Sequence, residues 1–353
     1  MPRAQVPWGD LYRSGYHEGI THLHHFYTRR NLIIFARLWE QAGRYTGALR
    51  HALRFWLLSY NASHATIMSR VVAKAGQDDL VTTSAQPGVL YVSGLPVEKN
   101  LFAGLRRKLV TIAQAFETIY GLTGKVTVRQ QSSCHVILPD GSIDYVFTDP
   151  PFGGNIPYAE VNFINEAWLE NLTDRREEII VSKHQGKSVA DYEVLLSRAL
   201  SEAHRILKPG GKSTIVFHSA TAEVWNALQS AYHAAAFQVE RASVLAKTQG
   251  SFKQVTTNGA VRGDPVLLLT KDPSKPRRTT AALHEQCVWQ VATRLREEAR
   301  SYADPDEQTA QRLYSRLVTH FLTQHQEVPL DADTFYQWLA AKRAAEVRDG
   351  VPA

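Results

Sequence analysis

The chain has 353 residues, 44% of them hydrophobic, and 40 basic against 34 acidic side chains. That much apolar material excludes a disordered chain and suffices for at least one full α/β core. The formal charge of +6 suits a polyanionic partner but is spread along the sequence, and two cysteines, Cys134 and Cys287, exclude a disulfide framework or a cysteine-rich zinc site. No apolar run approaches the roughly 20 residues that a bilayer requires, and no apolar signal region follows Met1-Pro2-Arg3, so a cytoplasmic protein is expected.

In chain order, residues 19–68 predict two helices, from Leu32, Ile33, Phe35, Ala36, Leu38 and Trp39 and then Leu49, Leu53, Trp56 and Leu57 at helical spacing, with Thr28 capping the first. Residues 88–97 have strand chemistry broken by Gly94 and Pro96. Residues 101–120 predict a basic amphipathic helix with Leu105, Leu109, Ile112 and Phe116 on one face. A strand is expected near Val126 to Val128, a turn at Pro139-Asp140-Gly141, and a buried strand over 143–148. A helix over 191–207, a strand over 213–218, a helix over 222–235 and strands over 237–246 and 265–270 follow. This alternation predicts a doubly wound α/β sheet with helices on both faces. Residues 271–280, rich in Pro, Lys and Arg, read as a linker, and the remainder as helices. The expected division is a helical region over 1–86, an α/β domain over 87–271 and a C-terminal helical region over 272–353.

Asp149-Pro150-Pro151-Phe152 follows the strand over 143–148, at the end of an α/β strand where ligands bind. An exocyclic amine on a nucleobase is a poor nucleophile, because its lone pair is delocalised into the ring. A carboxylate and a backbone carbonyl that accept both amine protons favour a pyramidal nitrogen. Asp149 supplies the first and Pro150 the second, in a turn stiffened by Pro151, and Phe152 offers a flat face to a base taken out of the stack. An ordinary strand-ending turn would also use two prolines.

The segment over 144–155, with Tyr158, Glu160, Asn162 and Phe163, resembles DNA methyltransferases that modify adenine N6 or cytosine N4. Within them the chain looks most like the C-terminal half of adenine-specific DNA methylases that carry a zinc ribbon. Arg205-Ile-Leu-Lys-Pro-Gly-Gly211, the strand ending at Phe217-His218, and residues 249–257 add to the likeness, which covers about residues 21–271. The resemblance implies a Rossmann-like methyltransferase sheet with helical N-terminal and C-terminal extensions, S-adenosylmethionine as cofactor and DNA as partner. It places Asp149, Pro150, Pro151 and Phe152 in catalysis, and Phe152, Asn155, Tyr158, Phe252 and Lys253 at the substrate. Asp149, Tyr27 and Arg29 fall near the cofactor.

The family's glycine-rich cofactor loop has no clear counterpart. Gly94 stands alone, and Gly121 and Gly124 follow a helix instead of opening one. The zinc ribbon is also missing. The expectation is therefore a split enzyme, in which a partner subunit carries the missing loop. The rival readings are a cofactor held by an unusual loop, a non-catalytic DNA-binding subunit, a degenerate remnant, or a methylase of RNA or of protein glutamine. His22, His24 and His25 lack a nearby acidic partner and predict no metal site. Arg106, Arg107 and Lys108 read as a phosphate-facing or simply solvated helix face.

Overall fold

The computed structural model describes residues 2–73, 80–83, 85, 89–245, 263–271, 285–302 and 304–348. The chain divides into two compact units, Met1–Arg129 with Ile156–Glu178 and Ser182–Gln185, and Gln130–Asn155 with Ile179–Val181 and Gly186–Ala353. Residues 89–129 cluster with the first unit, and the C-terminal helices share a core with the sheet.

The first unit is mainly helical. Helix α1 (Arg29–Gly43) starts at Thr28, whose hydroxyl accepts from the Asn31 amide, as its sequence predicts. Helix α2 (Gly47–Tyr60) follows, and then a single wide turn over Asn61–Ala65. A short antiparallel hairpin of β1 (Arg70–Ala73) and β2 (Leu80–Thr83), absent from the expected elements, pairs Arg70 with Thr83. The expected strand over 88–97 reduces to an isolated bridge between Arg70 and Pro96, since Gly94 and Pro96 interrupt any longer ladder.

Helix α3 (Leu101–Ile119) packs only through its first turns. Leu101, Gly104 and Leu105 are buried, whereas Leu109 and Phe116 of the same expected face are half-exposed. The strand expected near Val126 is not formed: both Val126 and Val128 are solvent-exposed coil, with no pairing strand among the described residues. Helices α4 (Tyr158–Val161) and α5 (Phe163–Leu169) complete this unit, whose core gathers Phe26, Phe35, Leu57, Phe163 and Trp168.

The second unit is α/β. Its sheet has the order β3 (Ile143–Thr148), β4 (Leu207–Val216), β6 (Asp264–Lys271), β5 (Phe237–Leu245). Helix α6 (Val189–Ile206) connects the parallel pair β3 and β4, and α7 (Ala222–Ala234) leads to β5. Strand β6 runs antiparallel to both neighbours, so the sheet is mixed, with one parallel pair, and not a fully parallel doubly wound one. Helices α8 (Glu285–Arg300), α9 (Ala310–Thr323) and α10 (Ala332–Arg348) follow, and Leu317, Phe321 and Phe335 join Ile215, Leu267 and Leu269 in one core.

Strand β3 is not buried: among the described strands it is the sheet's edge, and Tyr145 and Phe147, alternate residues that share one face, are 50% and 64% exposed. Lys208-Pro-Gly-Gly211, in the interval between the helix expected over 191–207 and the strand expected over 213–218, follows the end of α6 at Ile206 and is already part of β4. It lies within β4 as a bulge, where Ile143 pairs with Leu207 and Tyr145 already with Lys212, and Gly210 takes φ +74°.

Candidate active site

The approach to the site is fixed from α6. Arg205 donates to the carbonyls of Val136 and Leu138 at 2.8 and 2.9 Å, and pairs with Asp140 and Glu202. The Gly141 amide closes on the Arg205 carbonyl at φ +57°. Beside this arginine, and while accepting from the Val136 amide, the Glu202 carboxyl is held down at about 2. Arg205, the first residue of the Arg205 to Gly211 motif, thus works as a strut that delivers the chain into β3.

Asp149 leaves the carboxyl end of β3 with its side chain exposed, and Pro150 behind it is buried. The turn that follows is wound tightly. The Gly153 amide donates to the Pro151 carbonyl at 3.1 Å, Asn155 to Phe152 at 3.3 Å, and Val181 to Gly153 at 3.3 Å. Two glycines are needed here for different reasons. Gly153 takes φ +61°, and a Cβ on Gly154 would stand 2.7 Å from the Val181 carbonyl oxygen.

A second clamp comes from α6, where the wholly buried Tyr192 donates its hydroxyl to the Pro151 carbonyl at 2.6 Å. Burial pushes that phenol's pKa up, so it stays a donor across the physiological range. The clamp closes one residue beyond Pro150.

Phe152 is half-buried. Its ring meets Phe217 edge-on at 5.1 Å and lies 6.0 Å from His218. Phe217 in turn meets Trp225 edge-on at 5.0 Å. His218 Nδ1 stands 3.1 Å from Oδ1 of the buried Asp264 at the start of β6. Neither His218 nor Asp264 is among the expected site residues, because nothing along the chain announces that the ends of β4 and β6 meet. A His in a strand-end motif and an acidic residue before the last strand's proline are the only signals.

The other site candidates are distributed as follows. Asn155 is exposed at the end of the turn, in the second unit. Tyr158 begins α4 in the first unit and is 44% exposed. Tyr27, also in the first unit, is buried with its hydroxyl committed: it donates to Asn61 at 2.6 Å and accepts from the Trp168 indole at 2.9 Å. Arg29 is exposed at the first position of α1. Phe252 and Lys253 lie outside the described residues.

Glu160 is an unexpected centre of the first unit. Its buried carboxylate accepts from the backbone amides of Gly9, Asp10 and Leu11 at 3.0, 2.8 and 3.0 Å, with Arg175 3.6 Å away. This is a nest of amides around an anion, and it ties the N-terminal loop to α4.

A glycine cradle for a methionine moiety is not evident among the described residues. Helix α3 opens on Asn100, whose side chain caps the Ala103 amide, and Gly121 and Gly124 lie in exposed coil after it. The rings of His22, His24 and His25 lie 4.2–5.8 Å apart, but among the described residues no group of His, Cys, Asp or Glu is arranged to hold a metal.

No family model and no curated protein sequence matches the chain. Among solved structures, the cyclase SpnF aligns at 14% identity and TM-score 0.26, over 47% of this chain and 63% of its own length. A candidate DNA modification methylase of Thermus thermophilus aligns at 14% identity and TM-score 0.23, over 53% of this chain and 72% of its own. Its selenomethionine derivative aligns at 14% identity and TM-score 0.21, over 51% and 69%. Likeness of this extent leaves activity to be argued from the chain's own residues. Among those described, no helix is long and apolar enough to cross a membrane.

Proposed function

We propose that this chain is the amine-gripping half of an S-adenosylmethionine-dependent methyltransferase acting on an exocyclic amine of a DNA base, adenine N6 before cytosine N4. The observation that carries the reading is the clamped turn. Asp149 projects an exposed carboxylate from the end of β3, and Tyr192 and the Gly153 amide hold the Pro151 carbonyl so that the preceding backbone is rigid. Fixed acceptors aimed at an amine are what this chemistry requires, since they need no rearrangement when charge develops on nitrogen. Phe152, braced by Phe217, provides a stacking face for a flipped base.

In this reading the described residues serve the base, and no glycine cradle for the cofactor is evident among them. A partner polypeptide bearing a glycine-rich loop completes the enzyme in this reading, and the Rossmann-like sheet belongs to the assembled pair. Support comes from β3, which among the described strands is laddered on one side only, and from Tyr145 and Phe147, which stand exposed on one face of it. The non-catalytic DNA-binding subunit is the second reading, favoured by the same missing cradle.

Calorimetry with S-adenosylmethionine, followed by transfer of labelled methyl to duplex DNA, tests the proposal. The chain alone is expected to bind the donor weakly or not at all. The chain with its partner is expected to methylate, and Asp149→Ala in that complex is expected to lose at least ~100-fold in rate, as removal of one fixed polar group from such a site does. Full activity of Asp149→Ala refutes the assignment. DNA binding without transfer in any complex selects the non-catalytic reading.

A further inference from the structure

The C-terminal helices enclose a cavity of about 250 Å³ lined by Arg296, Arg300, Gln308, Arg343 and Glu346. Its charge is unbalanced, because three guanidinium groups face a single carboxylate. Arg296, on α8 and mostly buried, grips Glu346 of α10 with both forks, one at 2.7 Å. Arg300, one helical turn further along, reaches the same carboxylate at 3.3 Å. Arg343 points its Nη2 at the neutral carbonyl of Gln308 at 2.7 Å. Glu346 also feels Lys342, and with Arg296 foremost its carboxyl is held below the ordinary value. Partial burial and then the charge of Arg296 pull Arg343 down in the same way.

A cluster that served only to zip α8 to α10 would match each cation to a carboxylate. Here Glu346 has its oxygens occupied by Arg296 and Arg300, and Arg343 adds a positive charge against them. Guanidinium groups present planar donor pairs suited to tetrahedral oxyanions, and Arg300 and Arg343 are exposed, open to an incoming anion. We propose that Arg296, Arg300 and Arg343 form a phosphoryl-binding pocket at the α8–α10 junction, separate from the Asp149 turn. The shared chemistry is a tetrahedral phosphate group, whose source is either free phosphate or a nucleic-acid backbone.

The test uses the full chain. Calorimetric titration with inorganic phosphate, at ionic strength held constant with chloride, is expected to show saturable binding. Arg343→Gln, which leaves the Arg296–Glu346 fork in place, is expected to weaken it at least tenfold, and Arg294→Gln, outside the cavity, to leave it unchanged. Arg300→Gln serves as a second variant should Arg343→Gln fail to fold. A short DNA duplex that displaces phosphate assigns the pocket to the backbone, and one that does not assigns it to a free anion. Absence of saturable phosphate binding, or equal binding by Arg343→Gln or Arg300→Gln, overturns the proposal.

Discussion

Replacing Tyr192 by Phe removes one hydroxyl from the clamp and nothing else. The ring is wholly buried and keeps its packing, so no cavity term arises. The lost bond is the 2.6 Å contact with the Pro151 carbonyl, which retains the Gly153 amide at 3.1 Å and is therefore not orphaned. A neutral hydrogen bond of this kind is worth about 1 kcal/mol net, which for a unit of this size lowers the melting temperature by about 2–4 °C. The local effect is sharper. Opening of the turn becomes easier by up to the same free energy, so hydrogen exchange at the Gly153 and Asn155 amides should accelerate about fivefold, while amides in β4 and β6 change little. Exchange by mass spectrometry over residues 149–156, with denaturant melts alongside, measures both. Unchanged exchange in the turn together with a melting shift below about 1 °C would show that Tyr192 does not clamp it, and the argument for a rigid acceptor pair would go with it.

Two further outcomes concern the first unit. Glu160→Gln turns one carboxylate oxygen into an NH₂ that faces backbone amides, forfeiting at least one of the three bonds to Gly9, Asp10 and Leu11 and the charge on the others. A loss of about 3 kcal/mol is expected in urea unfolding, in the range for breaking a buried charged pair, and a change below about 1 kcal/mol would contradict the nest. His64, stacked on Tyr60 at 4.6 Å, is pulled from 6.5 to about 4 by burial and then by Lys99, Lys108 and Arg107. The unfolded chain therefore binds the extra proton between pH 6.5 and 4. Stability contributed by neutral His64 is present above pH 6.5 and is lost as the pH falls through that window. His64→Gln should flatten the urea midpoint between pH 6.5 and 4, and an unaltered slope would refute the assignment.

What the sequence made legible was local. Thr28 before an apolar-periodic run foretold a capped helix, and the Asp-Pro-Pro-Phe turn was placed correctly at a strand end, because a hydroxyl cap and a double proline act through their immediate neighbours. Features set by distant pairing were not legible. Apolar residues in 143–148 predict burial, yet whether a strand is central or at the edge depends on which strands lie beside it, and among the described strands the sheet order places it outermost. Lys208-Pro-Gly-Gly211 has the composition of a helix stop, and only its register against Tyr145 makes it a bulge. The Glu160 nest joins residues about 150 apart in sequence, and the approach of His218 to Asp264 spans an interval with no periodic sign of contact.

Among the described strands β3 is an edge, which bears on how the proposed split enzyme would be completed. A pair of acceptors works only if held to within about half an ångström, and support from one side rarely suffices. Tyr192 and the Val181 amide brace the turn after Asp149, while β3 itself is laddered to β4 alone among the described strands. Natural edges are usually blunted by charge or proline. Along β3 the one charge, Asp144, is tied to Lys208 at 2.5 Å, and Tyr145 and Phe147 remain open to solvent. A strand added beside β3 would fix the backbone that delivers Asp149, while Tyr145 and Phe147, which share one face of the sheet, would need an element packed over that face. If the partner that carries the glycine loop also supplies that strand, donor binding and rigidity of the Asp149 turn cannot be acquired separately. Protection of residues 143–149 and methyl transfer would then rise together, at one partner concentration.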